Sequence, residues 1–402
     1  MKILALGLAA AVVLALACGS AAAQKKYDPG ASDTEIRIGQ TMAYSGAASI
    51  YGEVGKTQAA YFRMVNDQGG INGRKLNFIS LDDGYSPPKT VEGVRRLVEQ
   101  DQVLLLYGMF GTATNSAVHR YVNAKKVPHL LLLTGASKWN DPQRNPWSMS
   151  FYPDYASEAR VYARHILEQK PNAKIGILYQ NDDYGRDYLR GFKDGLGARA
   201  KSMIVAEASY EVSDPTVDSQ IVQLRGAGAD VLVSFSTAKA AIQTLRRVHD
   251  TGWKPTHYLA QGAALIGAVF NPAGPEKAVG VISTAYSKDP NDTQWENDAA
   301  FREWLAFMKK YRPEADLRLG SHVYAYSSAR LMVDILRASG DNLTRENVLR
   351  QAASIKAVQL PMFLPGVVVS SSPDDYRLIK SLQPVVFDGK RWNRLGEFVS
   401  IF

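Results

Sequence analysis

Residues able to do chemistry are few in this chain, and the first group lies in 103–116, VLLLYGMFGTATNS. Val103-Leu104-Leu105-Leu106-Tyr107 is an apolar run of the kind buried on both faces of a parallel sheet. Gly108 and Gly111 punctuate it, and Thr112, Ala113, Thr114, Asn115 and Ser116 place small hydroxyl and amide side chains where a helix begins. Backbone N–H groups at such a start lack intrahelical partners and sit at the positive end of the helix dipole, so an anion there is stabilised by ~0.3–1 kcal/mol. Thr112 is the expected side-chain donor to a carboxylate. The alternative is that Thr112 and Thr114 only cap the helix.

The other reactive patterns point away from catalysis. Ser86-Pro87-Pro88-Lys89 has the S-x-x-K spacing of serine acylases, but two prolines spoil the helical turn and no K-T-G partner occurs. There is no G-x-S-x-G elbow, and the histidines at 119, 129, 165, 249, 257 and 322 are scattered without H-E-x-x-H or a cysteine partner. Gly226-Ala227-Gly228 precedes a strand and lacks the third glycine of a dinucleotide fingerprint. Asp82-Asp83, at a strand end, is read as organising the loop to Pro87. The expectation is a binding protein with no catalytic residue, metal or cofactor.

Positioning these residues requires alternating strands and helices. Strands are expected over 35–42, 75–81, 103–107 and 129–133, and helices over 54–66, 89–100 and 115–125. The stretch 139–153, WNDPQRNPWSMSFYP, reads as an irregular connection, after which the alternation restarts with strands at 174–179, 201–209, 230–234, 257–261 and 279–285. Right-handed crossovers then give two parallel α/β sheets with helices on both faces, two lobes with a cleft between them. Helices over 295–311, 321–339 and 344–353 are assigned to the first lobe, and a hairpin over 382–387 and 391–401 around Asp388-Gly389 to the second. The expected limits are 34–150 plus 284–362 for the N-terminal lobe and 151–283 plus 363–402 for the C-terminal lobe, joined by three crossovers.

Composition narrows the setting. Met1-Lys2, an apolar run over 3–17 and the small residues ending at Ala23 read as a secretory signal peptide, 1–23. A lipoprotein signal ending at Cys18 is the rival, with Ala15 where leucine is expected counting against it. Cys18 is the sole cysteine, so stability must come from the cores rather than from disulfides. The net charge of +8 is spread in pairs such as Arg95-Arg96 and Arg246-Arg247 rather than gathered on one face, which argues against nucleic-acid binding.

The chain resembles a periplasmic solute-binding protein of the branched-chain amino acid/amide ABC transporter type. The resemblance rests on Met42-Ala43-Tyr44-Ser45-Gly46 with Tyr51-Gly52, NDQGGINGR at 66–74, Asp82-Asp83 with Pro88 and Lys89, 108–115, Val127-Pro128 followed by Gly135-Ala136-Ser137, and NDDYG at 181–185. It implies type I periplasmic-binding-protein lobes, leucine-binding-protein-like, closing over a carboxylate-bearing ligand. It also implies a periplasmic monomer that serves a separate permease and ATPase; a ligand-sensing subunit for a membrane receptor is the alternative role. Carried over, the carboxylate falls to Thr112 after Gly111, and to Gly135, Ala136 and Ser137. Where amino-acid binders of this type place an acid for the ammonium, this chain has Ala260-Gln261-Gly262-Ala263-Ala264. An unpaired buried ammonium is costly, so the ligand is expected to lack a free amine. A ligand with an amine would need Asp83 or Asp183 instead. Tyr44, Tyr51, Trp139, Tyr155, Tyr184 and Tyr286 lie near strand ends and could stack on an apolar body, which favours aromatic over aliphatic or hydroxy acids.

Overall fold

The computed structural model describes residues 25–401; the expected signal peptide and Cys18 lie outside them. The first sheet is parallel throughout, in the order Lys75–Asp82, Glu35–Met42, Leu105–Tyr107, His129–Leu132, Ser148–Ser150. The second has eight strands. Ile282–Ala285, Thr256–Leu259, Val231–Phe235, Ile175–Gln180 and Ile204–Tyr210 run parallel in that order, and Ser381–Phe387 adds antiparallel to Ile282–Ala285. Trp392–Arg394 and Val399–Ser400 both pair with Ser381–Phe387. This is the doubly wound two-lobe architecture that the resemblance implies.

Among the expectations that need correction, the strand read over 201–209 begins only at Ile204, because Ala200–Met203 is helical. The stretch 139–153 is not wholly irregular, because Ser148–Ser150 forms the edge strand of the first sheet. Three residues are too few to show a hydrophobic period. The strand expected over 391–401 is two short strands, broken where Gly396 takes φ 75°.

The chain leaves the first sheet after Ser150, returns after Ala285 and reaches the second sheet again at Ser381. On the return, helix Ser321–Ser339 packs against helix Gly52–Asp67. Buried polar contacts fix that pairing: Gln58 Nε2 donates to Ser328 Oγ at 3.1 Å, and Thr57 Oγ1 lies 2.8 Å from His322 Nδ1. Parallel strands direct their C-terminal ends to one edge of each sheet, and open α/β sheets bind ligands at that edge. Here both edges face the gap between the lobes.

At the opening motif, Gly111 holds φ 95° before helix Thr112–Ala124. A Cβ at this position would lie 2.3 Å from the Tyr85 ring, so both conformation and space require glycine. Gly111→Ala should lower stability by about 1–3 kcal/mol through strain and overpacking. Thermal unfolding reads this as a reduced midpoint; an unchanged midpoint would contradict the packing described.

Candidate ligand-binding site

Two adjoining voids lie between the lobes and share Tyr51, Leu133, Tyr152 and Gly262 as walls. The smaller, about 440 Å³, is also lined by Tyr85, Phe110, Gly111, Thr112, Tyr155, Tyr184 and Thr237. The larger, about 690 Å³ and partly open to solvent, adds Gln261, Tyr286, Asp289, Ser321, Tyr324 and Trp392. Volumes of this size suit small organic ligands.

Each wall follows from a strand end. Thr112 follows Leu105–Tyr107, Leu133 follows His129–Leu132, and Tyr152 follows Ser148–Ser150. From the other sheet, Tyr184 follows Ile175–Gln180, Thr237 follows Val231–Phe235, Gln261 follows Thr256–Leu259, and Tyr286 follows Ile282–Ala285.

Thr112 is buried, with its hydroxyl 2.7 Å from that of Thr134. No side chain caps its helix, because Thr114 turns its hydroxyl back to the carbonyls of Phe110 and Gly111. The first-turn N–H groups therefore start at the edge of the smaller void without a side-chain acceptor. The Tyr155 phenol is held above its ordinary pKa by burial, with the Gly135 backbone and the Thr134 and Thr112 hydroxyls near enough to pull the other way. A tyrosine hydroxyl thus stands where the Thr112 and Gly135 donors converge.

The structure does not bring all the expected residues together. Gly135 is packed under Pro153 and Tyr155, where a Cβ would meet the Pro153 carbonyl oxygen at 2.0 Å. Ala136 and Ser137 face the outer rim instead of the voids. There the Ser137 N–H and Oγ both donate to Asp187 Oδ2, at 2.8 and 3.0 Å, so a carboxylate of the second lobe occupies these donors. Tyr44 is also absent from the voids: its hydroxyl lies 2.6 Å from Ser80 Oγ, over Gly55. Trp139 is buried in the core. Asp82 accepts from the N–H groups of Tyr44, Ser45 and Gly84, and Asp83 from Tyr85 N–H and the Thr90 hydroxyl, so the pair organises its loop.

Tyr51, Tyr155, Tyr184, Tyr286, Gln261, Gly262, Gly111 and Thr112 do converge. Tyr51 stacks on Phe110 at 4.5 Å, accepts from Ala238 N–H and donates to Gly262 O across the lobes; burial pushes its pKa up to about 12. Tyr155 stands edge-on to Tyr184 at 5.1 Å, and the Tyr184 hydroxyl donates to Ser236 O. Gln261 accepts from the Tyr152 hydroxyl. Its backbone N–H donates to Glu158, which is fully buried and also accepts from Tyr162 and Tyr188. Burial raises the Glu158 pKa, against the pull of those hydrogen bonds.

Sequence reasoning missed Tyr85, Phe110, Tyr152, Glu158 and Asp289. Tyr152 sits in the connection read as irregular, and the aromatic density of that stretch was its only signal. Tyr85 takes φ 60° just after Gly84, a left-handed conformation that no sequence pattern announces.

Residues 35–386 match the family model described as periplasmic binding protein. The chain belongs to the periplasmic binding protein family. Among its relatives, the Leu/Ile/Val-binding protein homolog 7 of Brucella abortus (strain 2308) is 23% identical over 334 residues, 80% of this chain and 81% of the relative. A solved branched-chain amino acid ABC transporter protein from Thermus thermophilus, with bound valine, superposes with TM-score 0.82 at 16% identity, covering 92% of this chain and 97% of the other. A solute-binding protein from R. palustris in complex with 4-hydroxybenzoate superposes with TM-score 0.76 at 19% identity, covering 91% and 97%. The family is one of extracytoplasmic substrate-binding proteins for small molecules rather than of enzymes.

Beside the voids, the lobes are clasped at the rim. Asp183 and Asp187 lie one turn apart on helix Asp183–Leu196 of the second lobe. Asp183 meets Lys138 Nζ at 2.7 Å and Ser116 Oγ at 2.9 Å, while Asp187 holds Ser137 and Arg190. Asp187→Ala removes two charge-assisted bonds between lobes, each worth ~1.5–3 kcal/mol. The unliganded variant should therefore populate open forms, with a larger radius of gyration in small-angle scattering than the parent; equal radii would show that the clasp does not hold the lobes.

Proposed function

We propose that this protein is the extracytoplasmic binding component of an ABC-type importer for a small carboxylate lacking a free amine, an aromatic acid first and an aliphatic or hydroxy acid second. The observation that carries this reading is the tyrosine-walled void that opens onto Thr112 and the uncapped first turn of its helix. The ligand's ring lies among Tyr51, Tyr152, Tyr155 and Tyr184, where offset or edge-on aromatic contacts contribute ~0.5–1.5 kcal/mol each beyond area burial. Its carboxylate meets the Thr112 hydroxyl, the helix N–H groups and the Tyr155 phenol. The segment 260–264 offers no acid for an α-ammonium, Glu158 beneath it is already engaged by Tyr162, Tyr188 and Gln261, and Asp289 lines the larger void rather than the one onto which Thr112 opens. The R. palustris complex with 4-hydroxybenzoate is in line with an aromatic acid. The Thermus complex with valine favours the second reading, an amino acid or amide binder of the same fold.

The moving bodies divide at the three crossovers, after Ser150, after Ala285 and before Ser381, so that 363–380, packed on Ala352 and Ile355, goes with the first lobe and not with the second as expected. Ligand selects and stabilises the closed arrangement, as in hinge closure generally. The closed monomer, freed of its leader 1–23, presents both lobes to a permease whose ATPase is a separate chain; a membrane receptor reading the same closure is the alternative partner.

A thermal-shift screen of amino acids, aliphatic, hydroxy and aromatic acids and amides tests the ligand class, since ligand binding to the folded state raises the midpoint. Aromatic acids should stabilise, and Thr112→Val should weaken their binding roughly 10- to 100-fold, as expected on losing a hydrogen bond to a charged group. Stabilisation by leucine or another amino acid would overturn the amine-free assignment.

A further inference from the structure

Tyr286-Ser287-Lys288-Asp289 follows strand Ile282–Ala285 at the second crossover, and its two charged side chains part company. Lys288 turns its ammonium away to Asp298 Oδ1 at 2.6 Å and Pro361 O at 3.0 Å, with the Trp295 ring centroid 5.3 Å off. Asp289 lines the larger void. Its Oδ1 accepts from the Asn291 N–H and side-chain amide, both at 2.8 Å, whereas Oδ2 has no donor among the described residues. Among the described residues no cation bears on it; the neighbouring charge is a second carboxylate, Asp292, and burial raises its pKa.

The other acids around the gap are supplied. Glu158 has Tyr162, Tyr188 and Gln261 N–H; Asp187 has Ser137 and Arg190; Asp182 accepts from the first-turn N–H groups of its own helix. Asp289 therefore keeps an unmet acceptor toward a void walled by Tyr152, Tyr286 and Tyr324, and water withheld on closure leaves it to the ligand. Thr112 opens on the adjoining void, beyond the shared walls Tyr51 and Tyr152.

We propose that Asp289 is a ligand-recognition residue that accepts a hydrogen bond from a hydroxyl carried at the end of the ligand remote from its carboxylate. This rests on the amine-free carboxylate reading above. The ligand class becomes an acid with its acceptor end at Thr112 and its donor end at Asp289, spanning both voids. An anionic or purely apolar far end is rejected, because it leaves the Asp289 carboxylate repelled or unpaired.

Calorimetry on the full mature chain, with Asp289→Asn and Asp289→Ala, tests this using benzoate, phenylacetate and 3-phenylpropanoate. Each acid is offered unsubstituted, with a para-hydroxyl, and with a para-aminomethyl group. Asp289→Asn keeps an oxygen for Asn291, and thermal midpoints verify that both variants are folded. The expected result is that a hydroxylated acid binds the parent roughly 10- to 100-fold tighter than its unsubstituted counterpart, and that both variants abolish this advantage. If an unsubstituted acid binds as well as its hydroxylated partner and the variants change neither, the Asp289 proposal fails while the carboxylate reading stands. If the aminomethyl acids bind best and depend on Asp289, the hydroxyl assignment and the amine-free reading both fail. Absence of binding by every acid overturns the carboxylate reading and this proposal with it.

Discussion

The site hangs on a carboxylate that lines neither void. Glu158 is fully buried, and a charge removed from water must be surrounded by donors. The donors come from three segments: Tyr162 on its own helix, Tyr188 on the neighbouring helix, and the Gln261 N–H after strand Thr256–Leu259. Meeting that demand fixes the turn that forms the second-lobe wall. It also fixes Tyr188, which stacks on Tyr155 at 4.5 Å and on Phe235 at 4.8 Å. Tyr155 in turn reaches the Thr112 and Gly135 donors of the first lobe. One desolvated acid thus sets the geometry of a polar site two residues away.

Contact between the lobes is of two chemical kinds. Near the voids it is weakly polar, through Tyr51, which stacks on Phe110 of its own lobe and bonds Ala238 N–H and Gly262 O of the other. At the rim it is ionic, through Asp183 and Asp187. Rim bonds are partly hydrated and reversible, which suits a hinge, whereas the inner walls gain strength when a ligand displaces water from them. Asp187 also engages both Ser137 donors, so on the proposed reading a ligand's carboxylate goes to Thr112 and its helix.

The fold was legible because its determinants are local. Apolar runs, glycine stops and proline-started helices mark each strand and helix in turn, and the restart of the alternation after Pro153 announces a second lobe. Thr112 was legible for the same reason, since a glycine turn between a buried strand and a helix is written in adjacent residues. Ser137 was not, because its partner Asp187 lies 50 residues on and meets it only when the lobes come together. Asp289 was missed because it lies in the crossover after Ala285, which carries no motif, and only the fold brings it to the larger void beside Gln261. Tyr152 was hidden by a three-residue strand too short to show a period.

The most direct test is a crystal structure of the mature protein with the acid that raises its melting temperature most. The expected density places the ring among Tyr51, Tyr152, Tyr155 and Tyr184, with the carboxylate on Thr112 and the start of its helix. Density at the Ser137 rim with Asp187 displaced, or an amine paired with an acid in the carboxylate's place, would contradict the site described.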